Sequence, residues 1–327
     1  MNNSIRAFIL TIIMLILAQS GMACVPQKQP ISIAISSWAG VEPVELAAQL
    51  GYFEKHGVEV KLIRFSVYSD SIEALIDGKV DAGMHTLDDA IRYYAGGRDV
   101  RVVLLTDYSF GNDGLVARPG IDSLTDLRGA RIGVETETVG HLSLLKILEA
   151  GKLAENDVTI VNIPTWEIEQ SMLNGIVDAG VTWEPYLTRT ARETGGKVLI
   201  TSREYPETII TTMTFDAAIV KRRPKDVQNI VAAYFDAVDY IKEHPQDAYQ
   251  RMGQAEGISA MEFEKQAAGI QYLQLADNLT LLDEQSEVHA YGQADTIAQF
   301  LFDQGIIKSM PDIHQLLTPL FIQALRK

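Results

Sequence analysis

The sequence predicts an α/β protein of two lobes, each a mostly parallel sheet flanked by helices. Three observations predict this. The first is a repeated word: Gly78-Lys79-Val80-Asp81-Ala82-Gly83 returns as Gly175-Ile176-Val177-Asp178-Ala179-Gly180, 97 residues further on. Solenoid repeats have periods of ~20–50 residues, so the word reads as one helix–turn–strand unit used once in each lobe. The second is alternation of strand and helix patterns on both sides of Gly114. The third is a change to helix after helix beyond Lys225.

The elements follow in order. Residues 31–36 form a β-type run, and Pro43 opens a helix carrying Leu46, Ala47 and Leu50 before Gly51 stops it. Strands are expected at 58–63, 80–84 and 100–105, with helices at 69–77 and 87–94, the latter ended by Gly96-Gly97. In the second lobe strands fall at 131–134, 157–163, 176–182 and 197–200, with helices at 139–150, 168–174 and 185–193. Apolar runs at 209–213 and 215–220 bring the chain back. Val227, Ile230, Val231, Tyr234, Val238 and Ile241 make an amphipathic stripe. Ser259 with Glu262 marks a capping box. Helices are expected at 286–302 and 311–326, the last kinked or broken by Pro319. The lobe boundaries are 31–113, 114–212 and 213–327, the last comprising the return and the C-terminal helices. Crossings near Asp113 and Thr212 would serve as a hinge.

The N-terminus reads as an export signal over residues 1–23. Arg6 precedes an apolar run over 7–18, too short to span a bilayer comfortably. Gly21-Met22-Ala23-Cys24 resembles a lipobox, departing from it at Gly21. Cys24, the one cysteine, is then the first mature residue and carries lipid, and 24–30 is a tether. With a single cysteine there is no disulfide framework and no Cys metal site. The net charge is −15, and removing a segment whose only charge is Arg6 makes it −16. So acidic a chain disfavours nucleic acid. The sequence has no phosphate-binding Gly-rich loop, no G-x-S-x-G and no H-E-x-x-H, and its six histidines are scattered. No catalytic residue, cofactor or metal is expected.

Three segments together resemble a known family. They are Trp38-Ala39-Gly40-Val41-Glu42-Pro43 with Gly51-Tyr52-Phe53-Glu54-Lys55-His56-Gly57-Val58, then Arg131-Ile132-Gly133-Val134-Glu135 with Gly140-His141, then Gly175 through Tyr186. The chain is similar to the substrate-binding proteins of bacterial ABC importers of the nitrate/sulfonate/taurine and thiamine-precursor type. The resemblance implies a periplasmic-binding-protein fold with two crossings. It also implies a monomer that closes on a small solute and delivers it to a permease with its ATPase. The chain departs from the anion-binding members at Glu137-Thr138, where they often carry Gly-Ser or Gly-Thr. An enzyme on the same fold, such as a precursor-processing lyase or hydrolase, and a sensor for a membrane signalling partner are the alternatives.

Candidate ligand residues lie at strand ends. Trp38 and Trp183 are placed to sandwich a planar or apolar ligand part. Thr138 opens a helix whose N-terminus favours an anion, with Glu137 beside it opposing one. Glu184 and Asp88 would select an amine or ring N–H, although first-turn acids, including Asp89, also serve the helix dipole. His85, Thr86, Asp107, Tyr108 and Thr211 complete the set, with Thr212 near the return crossing. No Lys or Arg falls at these ends, so a flat body with a donating or cationic group fits better than a bare oxyanion. For the N-terminus, metabolic labelling with a fatty acid should mark the wild type and leave Cys24→Ser unlabelled; equal labelling of both would refute acylation at Cys24.

Overall fold

The computed structural model describes residues 29–206 and 208–326; the expected signal segment, Cys24 and most of the tether lie outside the described residues. The first third forms β1 (Ile31–Ile35), α1 (Glu42–Gln49), α2 (Tyr52–Lys55), β2 (Val60–Arg64), α3 (Tyr68–Ile76), β3 (Ala82–Thr86), α4 (Leu87–Ala95) and β4 (Val100–Ser109). Residues 110–112 cross to β5 (Asp113–Ala117), β6 (Arg131–Val134), α5 (Val139–Ala150), β7 (Thr159–Asn162), α6 (Ile168–Leu173), β8 (Ala179–Trp183), α7 (Tyr186–Thr194) and β9 (Lys197–Thr201). The chain then returns to β10 (Ile210–Asp216). Helices α8 (Ala217–Arg222), α9 (Pro224–Glu243), α10 (Pro245–Glu256) and α11 (Ala260–Ala267) follow, then edge strand β11 (Ile270–Tyr272). The chain finishes with α12 (Leu275–Leu281), α13 (Ala290–Asp303), α14 (Ile313–Leu316) and α15 (Leu320–Gln323).

The strands make two sheets, ordered β11-β4-β10-β3-β1-β2 and β7-β6-β8-β5-β9. The α/β class and the two-sheet plan match the expectation, and the sheets are mixed. β1 pairs in parallel with β2 and β3, and β6 with β7 and β8. The antiparallel insertions are β10, between β3 and β4, and β5, between β8 and β9. The reason is geometric. Each is the strand by which the chain arrives from the other sheet, so it begins where its neighbours end. Hydrophobic alternation reveals a strand but not its direction.

The repeated word is a turn that ties neighbouring strands. Gly78 and Gly175 hold left-handed φ values of 70° and 66°, ending the preceding helices. Asp81 then donates its N–H to Ser32 O (3.0 Å), and its carboxylate accepts from the Ser32 N–H and hydroxyl (2.9 Å each). Asp178 repeats this with Arg131: its N–H reaches Arg131 O at 2.8 Å, and its carboxylate accepts from the Arg131 N–H (2.9 Å) and guanidinium (3.0 Å). The closing glycines are steric requirements. A Cβ at Gly83 would stand 2.2 Å from the His85 ring, and one at Gly180 2.2 Å from Ile168 Cγ2.

Burial follows the pattern. On β5, Leu115 joins an apolar cluster with Ile132 and Leu144, while its neighbour Val116 joins Ile168 and Leu187, so the second sheet is covered on both faces. The whole predicted stripe of α9 is buried in the core of the first sheet. The Ser259–Glu262 capping box forms. The expected helix over 311–326 is two short ones, with Pro319 capping the second.

Two substitutions test the tie. Asp178→Ala should cost about 1–3 kcal/mol of unfolding free energy at neutral pH, because it strips a backbone N–H and a guanidinium of their acceptor. The Arg131 hydrogen bonds hold the Asp178 carboxyl below its ordinary 3.8. Its contribution is therefore full above that pH and disappears as pH falls through the folded value. Gly180→Ala should cost a similar ~1–3 kcal/mol through overpacking against Ile168. Denaturant titrations at neutral and acid pH measure both.

Candidate functional site

A cavity with an empty volume of about 360 Å³ lies where the strand ends of the two sheets face each other. On the first sheet's side its wall is Ser36, Trp38 and Val41 beyond β1, Tyr68 on α3, Met84 and Thr86 on β3, and Ile209 and Thr211 at the return. The other side is Asp113 at the start of β5, Val139 at the start of α5, and Trp183 at the end of β8. Asp113 and Trp183 are directly opposed in the β5–β8 pairing. The wall is thus largely aromatic and aliphatic, with hydroxyls and one carboxyl, as small-molecule sites commonly are.

Four of the ten residues expected from sequence stand on this wall: Trp38, Thr86, Trp183 and Thr211. Asp107 stands behind it and supports two of them, Trp38 and Thr211. Its carboxylate accepts from Trp38 Nε1 (3.1 Å), Thr211 Oγ1 (3.1 Å) and Thr106 Oγ1 (2.9 Å). Burial pushes the Asp107 carboxyl up to about 6, against the opposing effect of those three donors. Gly40 makes this packing feasible, since a Cβ there would lie 2.2 Å from Trp38 Nε1.

The other five sit off the wall for identifiable reasons. Strand alternation turns His85 to the opposite face from Met84 and Thr86. There its ring packs edge-on against Tyr68 and Tyr93, its Nε2 meets Ser71 Oγ at 3.2 Å, and burial lowers its pKa to about 4. Asp88 is buried on α4, where burial and then the charge of Asp89 raise its carboxyl to about 7. Tyr108 donates to Gln293 Oε1 at 3.0 Å and borders a separate depression with Phe110. Thr138 is the N-cap of α5, its hydroxyl accepting from Gly140 N–H and donating to Glu135 O. Glu137 beside it is exposed. The Glu184 carboxylate accepts from the Thr188 N–H and hydroxyl one turn along. Thr212 lies inside β10, donating to His85 O.

Seven of the eleven wall residues are not singled out by the sequence, among them the polar Ser36, Tyr68 and Asp113. Tyr68 carries no signal, because the sequence pattern places the start of its helix one residue late, at 69. In the sequence Asp113 marks only a lobe boundary. Its position just past the crossing was the available clue.

Contacts between the two sides hold the cavity shut. Trp183 Nε1 donates to Ser37 O at 3.0 Å, and the Trp183 and Tyr68 rings meet edge to face at 5.8 Å. The Glu135 carboxylate, following β6, accepts the Ser69 N–H at 2.8 Å. Ser69 lies in the first turn of α3, so an acid from one lobe serves the N-terminus of a helix in the other. At the crossings Ser109 and Ser202 hydroxyls meet at 2.9 Å, and Ser202 Oγ accepts the Gly111 N–H at 2.7 Å. Among the described residues no group of three or more His, Cys, Asp or Glu is placed to hold a metal, and no helix is long and apolar enough to cross a membrane.

Comparison with known proteins adds the following. The family model described as NMT1/THI5 like matches residues 38–248. A Bacillus subtilis protein named as an aliphatic sulfonates-binding protein is 28% identical over 230 residues, 68% of each chain. A Brachyspira hyodysenteriae protein named as an ABC transporter periplasmic binding protein is 23% identical over 256 residues, 72% of each chain. Among solved structures, the alkanesulfonate-binding protein SsuA of Xanthomonas axonopodis pv. citri superposes with a TM-score of 0.74. It is 16% identical, and the match covers 89% of this chain and 99% of that one.

The closing contacts make a measurable prediction. Trp183→Phe keeps the ring and removes the N–H to Ser37, and Glu135→Ala removes the acceptor for Ser69. Each lost bond is worth about 0.5–1.5 kcal/mol. The closed-to-open ratio should therefore fall roughly two- to tenfold per substitution, and small-angle scattering on the unliganded double variant should give a larger radius of gyration than wild type.

Proposed function

The chain belongs to the NMT1/THI5-like family, and from that premise we propose that it is the solute-binding component of an ABC importer. It takes a small organic solute into the cavity between its two lobes and delivers it to a membrane permease. The observation that carries this reading is the cavity itself, lined by Trp38 on one lobe and Trp183 on the other. A solute touching both sides stabilises the closed form by the difference between its affinities for the two forms. The segments between β4 and β5 and between β9 and β10 are the hinge in this proposal, since they join the sheets. The relatives named as binding proteins support the reading.

In the same proposal the protein is exported, with residues 1–23 removed and Cys24 acylated as its membrane anchor, and acts as a monomer. It binds without turning its solute over. The hydroxyls of Thr86 and Thr211 on the wall donate to buried carboxylates, not to a histidine.

Scattering and calorimetry test it together. The mature protein, titrated with fractionated small metabolites, should contract on binding, and the fraction that contracts it should be recovered chemically unchanged. Trp38→Ala should weaken that binding at least about tenfold, as loss of a buried aromatic anchor does. Binding without contraction would overturn the hinge; conversion of the compound would overturn the transport role.

A further inference from the structure

Of the six side-chain N–H and O–H donors on the cavity wall, all but the Ser36 hydroxyl are committed. Tyr68 O–H donates to Asp89 Oδ2 at 2.5 Å, and Thr86 Oγ1 donates to the same oxygen at 2.8 Å. Thr211 and Trp38 donate to Asp107, and Trp183 donates to Ser37 O. Thr86 and Thr211 therefore turn lone pairs, and Tyr68, Trp38 and Trp183 ring faces, toward the space they enclose; the Tyr68 hydroxyl oxygen is itself taken up by the Thr86 N–H at 3.1 Å. The carboxyl of the wall is that of Asp113, 5% exposed, and its Oδ2 has no hydrogen-bond partner. No Lys or Arg stands on the wall. An anion entering here would meet mostly acceptors and a carboxyl, with the Ser36 hydroxyl as its one side-chain donor. A donor would meet what it needs.

We propose that Asp113 fixes the polar end of the solute, which is a small molecule with a flat or short apolar body and a cationic or N–H-donating nitrogen, not a sulfonate. This rests on the solute-binding reading above. It sets the chain's specificity apart from the sulfonates for which one relative is named. Asp113 suits the role because its backbone is held on both sides. Glu184 N–H donates to Asn112 O at 2.9 Å and Ser202 N–H to Asp113 O at 2.8 Å, so the carboxyl sits at a fixed point beside the hinge. The groups facing it are acidic or hydroxylic. Burial first, then the charges of Asp107 and Glu184, raise its carboxyl to about 7, and the Ser109 hydroxyl opposes this. A cationic solute supplies the missing countercharge and favours the ionised form. Its affinity is then high above the carboxyl's own pKa and falls as protonation competes below it.

Calorimetry with two flat probes of matched size, benzamidine (a cation) and benzenesulfonate (an anion), tests this on the purified mature protein. Wild type should bind benzamidine and not benzenesulfonate, with benzamidine affinity falling roughly tenfold from one pH unit above to one below the Asp113 pKa. Asp113→Asn, nearly isosteric, should lose at least about tenfold in benzamidine affinity and most of that pH dependence. Asp107 and Asp88 remain in the variant, so any pH dependence of theirs survives there. If Asp113→Asn does not fold, the wild-type comparison of the two probes still decides. Undiminished benzamidine binding by Asp113→Asn, tighter binding of benzenesulfonate than benzamidine, or no benzamidine binding at millimolar concentration would each overturn the proposal. Benzenesulfonate that binds and contracts the protein would overturn it while leaving solute binding intact. If neither probe nor any metabolite fraction shifts the melting temperature, both readings fail.

Discussion

Asp81 and Asp178 fix the geometry on which everything at the cleft depends. Each carboxylate binds the N–H at the start of a parallel neighbour strand, and each backbone N–H returns a bond to the same residue. An ionised acceptor makes such bonds stronger than neutral ones. The tie sets the register in which Ile33 pairs with Ala82 and Ile132 with Ala179. A slip of one residue in β3 would turn Gly83 and His85 toward the cavity in place of Met84 and Thr86. The glycines that follow each aspartate leave room for His85 and Ile168 to pack against the strand. The repeated word is therefore a structural device, and its functional effect is exerted at the far end of the strand it aligns.

The cleft is built on buried carboxylates used in two ways. Asp89 and Asp107 collect the donors of Tyr68, Thr86, Trp38 and Thr211, which orients those side chains and leaves the threonine lone pairs and the aromatic rings toward the cavity. Asp113 is left with an unpartnered oxygen. A buried polar atom without a partner is costly, so a solute that satisfies it gains more than the bond would be worth in water. The same logic governs closure. A few hydrogen bonds between the lobes, Trp183 to Ser37 and Ser69 to Glu135, hold the closed form. Their combined strength is small enough for solute contacts to compete with on an equal scale.

Sequence alone was enough for the α/β class, the two sheets, the helical C-terminal region and the family resemblance. These are written in local periodicity, in turn residues and in words such as that around Asp81, which depend on neighbours a few positions away. It was also enough to nominate Trp38, Thr86, Trp183 and Thr211, because strand ends in such sheets converge on the cleft. Tertiary structure decided the direction of β5 and β10, which depends on where the chain re-enters a sheet. It decided that Thr138 and Glu184 serve their own helices and that His85 faces away from the cavity. It decided, above all, which hydrogens are spent. Whether Tyr68 or Thr211 offers a solute a donor or an acceptor is fixed by Asp89 and Asp107, which lie 21 residues from Tyr68 and 104 from Thr211 along the chain. No local pattern records a partner at such a distance, because only folding brings the two together.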